Sequence, residues 1–440
     1  MEIKFNDSLT LVYGEEGRSK AFCISMEETA EFIRRVKDPE ILINGKKKIA
    51  TIIVGDTSNK GYKDAVKGLD NSHYRIVVKT CRNLATILVC GNTEYALMTG
   101  IEYFVSKYFN EKTNGKAEIS TETVEKFADI EKESALIITS DRAVRDPQIF
   151  VKDGVYYMFG SHMASHYGMC TSTDLEHWSE PVSVCKIPEG KYLLDQQRCF
   201  WAPECHYYNG RYYMFATFKN PETLHRGSAV FGSDNIEGPY TLVTDGLMTP
   251  EDWDAIDATL YVDGDGQPWC VFVHEWTCMP DKNGSMCVVK MKKDLSGFDG
   301  EIIEVFKAKD PVWARAGVTD GPFIYKMSET GSLIMLWSNG GAAGYLVGMA
   351  RSASGNMEGP WVQLRPLLYS KLYGEEYDGG HGAFFTTNEG QLMLSIHAPN
   401  NPTNIILDQP ASGRPCTAIF IPIEEDKELD MLRRVSGEDK

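Results

Sequence analysis

Apolar and polar residues alternate in two different ways along this chain. Up to about residue 135, β-type runs mix with helical periodicity. LTLVYG (9–14), IATIIVG (49–55), YRIVVK and ATILVCG read as strands, the last two joined through TCRNL as a hairpin. MEETAEFIRRVKD sets Ala30, Phe32, Ile33 and Val36 at helical spacing. NTEYALMTGIEYFVSKYF predicts a second, longer helix, with Asn92 or Thr93 as its cap and Glu94 complementing its positive end. The pattern predicts a small α/β domain over residues 1–135, linked onward by the charged stretch EKFADIEKES.

From about residue 140 the pattern changes to short β runs broken by Gly and Pro, and it repeats. The position that opens an apolar strand recurs as Asp146 (RDPQIF), Ala202 (WAPECHYY), Asp257 (IDATLYV), Asp320 (TDGPFIYK) and His381 (GHGAFF), at spacings of 56, 55, 63 and 61 residues. A second run follows each, opened by Gly154, Gly210, Gly266, Gly331 and Gly390. Third runs follow those, and two end in EGP plus an aromatic residue. Five such units predict an all-β five-bladed β-propeller over residues 140–430, because radial closure protects the strand edges of each blade. The expected fold is therefore multidomain, a propeller preceded by the small α/β domain.

Composition narrows the partners. With 45 Lys and Arg against 62 Asp and Glu, the net charge is −17, which disfavours nucleic acid and anionic membrane surfaces. No apolar run reaches the roughly 18–20 residues of a bilayer span. The start, MEIKFNDSLTLVYG, lacks the basic and apolar regions of a signal peptide. The 11 cysteines contain no C-x-x-C pair and read as reduced, buried hydrophobes. Together these features predict a cytoplasmic protein, with its oligomeric state left open.

The innermost strand of each blade lines a propeller's channel, so the residues opening those strands face one cavity. One Asp at a strand start is an ordinary turn cap. Three in equivalent places, Asp146, Asp257 and Asp320, point to function, because strands deplete Asp and clustered buried carboxylates are costly. Such clusters drive pKa values apart, leaving one carboxylate ionised while another holds a proton. Glycoside hydrolysis requires that pair, a base for water and an acid for the leaving oxygen.

The motifs RDP (145–147), WAPE (201–204), ID (256–257), DGP (320–322) and HG (381–382) resemble, in order and spacing, those of glycoside hydrolase family 43. That is a five-bladed propeller family of arabinofuranosidases, xylosidases and arabinanases, and the resemblance covers residues 140–425. It implies an inverting mechanism with Asp146 as general base and Asp257 tuning and orienting the acid. It also implies an oligosaccharide substrate and exo-acting release of a terminal arabinofuranosyl, xylosyl or related furanosyl unit such as galactofuranosyl. No cofactor is required by this reading. His381 lies where the family often has a histidine facing a channel ion, so a structural calcium is an expectation.

The family's acid is usually Glu in an E-G-P motif, and here Asp320 stands in its place. Asp320, Glu275 of VHEW and Glu204 of WAPE are all candidates for the acid. A further alternative is a non-catalytic carbohydrate-binding propeller that has lost it. His274 beside Glu275 is placed to orient it. His162 and Asn339, matched to Glu275 by offset, are expected to rim the cavity as partners for sugar hydroxyls, and Trp201 to stack on a sugar. The N-terminal region resembles the accessory domain preceding the catalytic barrels of α-glucuronidases and hexosaminidases, which implies packing, dimerisation or substrate gating.

Overall fold

The computed structural model describes residues 1–162, 166–185, 199–400 and 415–438. Its N-terminal sheet orders the strands Glu2–Asn6, Leu9–Tyr13, Lys46–Val54, Leu84–Gly91, His73–Cys81 and Val124–Phe127, with Glu40–Ile43 and Lys116–Glu118 branching from the third. Leu9–Tyr13, Lys46–Val54 and Leu84–Gly91 run parallel. Their apolar runs are continuous because both faces are covered. Leu11, Ile52 and Ile87 pack with helices α1 (Lys20–Arg35) and α3 (Glu94–Tyr108). Ile53 and Leu88, on the other face, pack with Tyr62 of the short helix α2 (Lys60–Ala65).

The α3 cap is Thr93, whose Oγ1 accepts from the Ala96 N–H at 3.1 Å. Helix α1 begins well before the periodic run, because Ser19 caps it through the Phe22 N–H. The stretch expected as a linker is structured. Val124–Phe127 pairs with His73–Ile76 as an edge strand, and Ile130–Ser134 forms a short helix capped by Asp129.

The propeller has five blades whose inner strands are Arg145–Lys152, Trp201–Tyr208, Ala255–Val262, Asp320–Lys326 and Gly380–Thr386. Each pairs outward with two further antiparallel strands and a short outer one. Ile138–Ala143, which precedes the first blade, pairs with Thr417–Asp426 of the last. That contact closes the ring, so no blade is left with an open neighbour.

The N-terminal domain is clamped to the fourth blade. Arg365, just beyond that blade's outer strand, is 2% exposed and binds Glu28 of α1 at 3.1 Å and Glu102 of α3. Tyr373 Oη donates to Glu102 at 2.9 Å. Arg315 adds a second guanidinium to Glu28, and Arg351 reaches Glu111. Burial raises the Glu28 carboxyl against the pull of Arg365 and Arg315. Removing one partner of such a network strands a buried charge, which costs about 3–5 kcal/mol. The domain therefore braces the blade whose inner strand begins with Asp320.

Candidate active site

Every inner strand opens with a β-bulge, at 145–148, 201–204, 256–259, 320–323 and 380–383. Each bulge contains one residue in the left-handed region: Asp146, Ala202, Asp257, Gly321 and His381, with φ of 55°, 43°, 57°, 51° and 48°. Non-glycine residues adopt this conformation only when the surroundings enforce it. Here the enforcement is a ring of bonds between neighbouring blades. The Asp146 N–H donates to His397 Nδ1 (3.2 Å), Ala202 to Ser161 Oγ (3.0 Å), Asp257 to Thr217 Oγ1 (3.0 Å) and His381 to Ser338 Oγ (2.8 Å). At the fourth blade, the Gly321 N–H donates to the Asp257 carboxylate itself at 3.2 Å.

This ring corrects the expected equivalence of Asp320 with Asp146 and Asp257. The fourth equivalent is Gly321, and Asp320 sits one residue earlier, paired with Ser338. Glycine is needed at 321, since a Cβ there would lie 2.7 Å from His381 Cδ2.

Asp146, Asp257, Asp320 and His381 do converge. His381 Nδ1 lies 3.3 Å from Asp146 Oδ1 and 3.6 Å from Asp257 Oδ2. Ser161 Oγ donates to Asp146 Oδ2 at 2.8 Å, and Tyr345 Oη donates to Asp320 Oδ2 at 2.8 Å. Burial works to raise the Asp146 carboxyl, but His381 foremost, with Arg145 and Ser161, outweighs it and holds the group below the usual range. Burial and then the Asp146 charge push Asp257 well up, against the Gly321 N–H. Burial and the Asp257 charge push Asp320 up to about 7, with His381 and Tyr345 opposing.

Glu275 is buried, and its carboxyl is pushed up to about 7 by burial, with Arg226 lowering and Asp320 raising it. Arg226 Nη2 stands 2.8 Å from Glu275 Oε2, an ion contact whose alignment falls short of a hydrogen bond. The same guanidinium contacts Asp254 at 3.0 Å and lies 5.3 Å over the ring of Trp201, which is 36% exposed. Trp201 thus offers an aromatic face beside Glu275. Glu204 is buried against His206, whose Nε2 is 3.3 Å away, and its charge helps to raise Asp257.

Three residues expected at the site, the rim residues His162 and Asn339 and the orienting His274, face elsewhere. His162 turns back onto its own blade, with Nε2 3.2 Å from the Met158 carbonyl. Asn339 is fully buried and donates to the Ala308 carbonyl at 2.9 Å. His274 stacks on Trp253 at 3.6 Å between ring centroids instead of orienting Glu275. The cause is an offset of one. Ser161, Thr217, Ser338 and His397, which do reach the site, each lie seven residues after their opening glycine, whereas His162 and Asn339 lie eight after theirs. A one-residue slip moves a strand side chain to the other face.

His397, Tyr345, Ser161 and Arg226 went unnoticed in the sequence, although the constant seven-residue offset pointed to the first and third. His397 is fully buried, and its Nδ1 accepts the Asp146 N–H, so its proton sits on Nε2, facing Asn400 Oδ1 at 2.9 Å. Burial lowers its pKa to about 4, consistent with a neutral ring. As for the expected calcium, His381 turns Nδ1 to two carboxylates, and no group of three or more His, Cys, Asp or Glu among the described residues has the spacing of an ion site.

A closed five-bladed propeller with carboxyl groups of opposed protonation around its channel is the scaffold of a glycoside hydrolase. The family model described as glycosyl hydrolases family 43 matches residues 138–415, and the chain belongs to that family. A solved endo-arabinase from Bacteroides thetaiotaomicron is 34% identical, with a TM-score of 0.57, covering 66% of this chain and 98% of that one. An extracellular endo-alpha-(1->5)-L-arabinanase of Thermotoga petrophila is 28% identical over 256 residues, 50% of this chain and 50% of the relative. Extracellular endo-alpha-(1->5)-L-arabinanase 2 of Bacillus subtilis is 25% identical over 279 residues, 56% of this chain and 55% of the relative. The chain spans about half the length of these curated relatives. Both are named extracellular, which overturns the expectation of a cytoplasmic protein.

Proposed function

We propose that this glycoside hydrolase cleaves α-1,5-linked arabinan or its oligosaccharides with inversion, using Asp146 as base and Asp320 as acid. One observation carries the reading. Across one channel, Asp146 is held below the usual carboxylate range while Asp320 is held at about 7. The Asp146 carboxylate takes a proton from water as the water oxygen bonds to the anomeric carbon. Asp320 gives its proton to the glycosidic oxygen as that bond breaks. Tyr345 occupies Asp320 Oδ2 and leaves Oδ1 to carry the proton. Glu275 is the weaker acid candidate, because the Arg226 guanidinium beside it favours the anion. Asp257 orients the acid by holding the N–H of the next residue, Gly321.

The relatives' names favour cleavage within an arabinan chain over the exo release of single units that the motifs first suggested. The experiment is hydrolysis of linear arabinan, arabino-oligosaccharides and a panel of nitrophenyl furanosides and xylosides, with NMR of the first-formed anomer. Arabinan cleavage with an inverted anomer supports the reading. A retained anomer overturns the mechanism. Binding without cleavage of any substrate would replace it with a non-catalytic binding propeller.

A further inference from the structure

Asn400 lies just beyond the second strand of the fifth blade, Leu392–Ala398. Arg145 closes its guanidinium on it, with Nη2 2.8 Å from Oδ1 and Nη1 3.3 Å from the carbonyl oxygen. His397 Nε2 lies 2.9 Å from the same Oδ1. The amide orientation is fixed by chemistry, because a guanidinium only donates and must face the oxygen. His397 Nε2 therefore donates as well, which leaves Nδ1 to accept the Asp146 N–H at 3.2 Å. One amide oxygen thus holds the side chain of Arg145 and, through His397, the backbone of Asp146. The Asn400 N–H is shared between the Asp378 carbonyl at 3.1 Å and Asp378 Oδ1 at 3.2 Å. Asp378 Oδ2 accepts the Tyr345 N–H at 3.2 Å, and Tyr345 Oη donates to Asp320 Oδ2 at 2.8 Å.

These bonds form one path from the backbone of Asp146 to the carboxyl of Asp320. Its two arms, His397 and Tyr345, also stack on each other, with ring centroids 5.7 Å apart and planes 23° apart. Position 400 has to offer an acceptor. The tautomer of an imidazole is set by the bond its other nitrogen makes. Without an acceptor at Nε2, the His397 proton is free to move to Nδ1, where it opposes the Asp146 N–H. That bond is one of those enforcing the left-handed backbone of Asp146, at φ 55°. We propose that Asn400 is a positioning residue for hydrolysis. It fixes the His397 tautomer that holds the Asp146 backbone, and through Asp378 and Tyr345 it keeps Asp320 in register with Asp146. Its effect on the reaction rests on the assignment of Asp146 as base and Asp320 as acid, whereas the His397 tautomer does not.

The test compares the full chain with Asn400→Leu, which removes the acceptor, and Asn400→Asp, which restores an oxygen for both donors. Histidine ring nitrogens are labelled with nitrogen-15 and observed by NMR at pH 7, and His397→Gln assigns the His397 lines among the nine histidines. In the wild type and in Asn400→Asp, His397 should be neutral with its proton on Nε2; in Asn400→Leu that single tautomer should be lost. On the substrate cleaved fastest, Asn400→Leu should lower kcat by about tenfold to a hundredfold with KM within about twofold, and Asn400→Asp should stay within about fivefold of wild type. An Asn400→Leu chain that keeps kcat and tautomer while only its Tm falls would overturn the proposal and make the residue a structural tie. So would a loss carried by KM, or an Asn400→Asp chain no better than Asn400→Leu. A wild-type His397 protonated on Nδ1 overturns it whatever the variants do. A wild type inert on every substrate refutes the hydrolase assignment and the positioning role with it, whereas an active wild type whose Asn400→Leu variant keeps kcat refutes the positioning role alone.

Discussion

Replacing Ser161 with alanine removes two functions of one hydroxyl. Its Oγ donates to Asp146 Oδ2 at 2.8 Å and accepts the Ala202 N–H at 3.0 Å. A hydrogen bond to a charged group contributes about 1.5–3 kcal/mol, and 1.36 kcal/mol corresponds to one pKa unit, so the Asp146 pKa should rise by about 1–2 units. Asp146 starts below the usual carboxylate range, so even after that rise it remains ionised at pH 7. Ser161→Ala should then retain kcat/KM at pH 7 to within about threefold, while the acid limb of its pH profile moves up by about 1–2 units. Separately, the orphaned Ala202 N–H should cost about 1–3 kcal/mol of stability, read as a Tm lower by a few degrees. The assay is kcat/KM from pH 3 to 8 on an arabino-oligosaccharide, with Tm measured alongside. A lowered Tm with an unmoved acid limb would refute the reasoning, leaving the hydroxyl a purely structural tie between blades.

Further outcomes follow from the same contacts. Asp320 titrates higher folded than unfolded, so between about pH 4 and 7 the native state holds more protons and stability falls as pH rises; Asp320→Asn should raise Tm at pH 7 and above by the equivalent of about 4 kcal/mol, with no gain near pH 4. Asp146 has the opposite sign, and its contribution to stability is present above about pH 4 and lost as pH falls through its depressed folded value, so Asp146→Asn should lower Tm at pH 7 with little change at low pH, widening the acid-side advantage in Tm. Gly321→Ala should lower kcat/KM by at least about tenfold with the fold intact by circular dichroism, because the added Cβ, at 2.7 Å, displaces His381 from the two carboxylates, and a misplacement of this kind is costly in a preorganised site. Arg365→Met should destabilise by about 3–5 kcal/mol in denaturant unfolding, since Glu28 and Glu102 would both lose a buried partner.

The architecture was legible in the sequence because it rests on repetition. Five glycine-opened runs at near-constant offsets correspond to five second strands, and Asp146, Ala202, Asp257 and His381 all fall in the bulges. Asp320 was misaligned because the preceding T-D and the following G-P both look like strand openings; only the backbone dihedral distinguishes Gly321 as the equivalent. His162 and Asn339 were misplaced by one residue, an error that hydropathy cannot reveal in a strand buried on both faces. Tyr345 and Arg226 come from third strands, and their reach into the site depends on how blades stack, which local pattern does not encode. The linker was misread because EKFADIEKES carries many charges, yet Val124–Phe127 completes a sheet edge.

The central claim is that Asp320, not Glu275, gives the proton to the leaving oxygen. The direct test compares Asp320→Asn and Glu275→Gln on an arabinofuranoside with a poor leaving group and on one whose leaving group needs no protonation. The account predicts that Asp320→Asn loses several orders of magnitude on the poor leaving group and recovers most of that on the good one, while Glu275→Gln loses activity equally on both. Recovery confined to Glu275→Gln would contradict it and make Glu275 the acid.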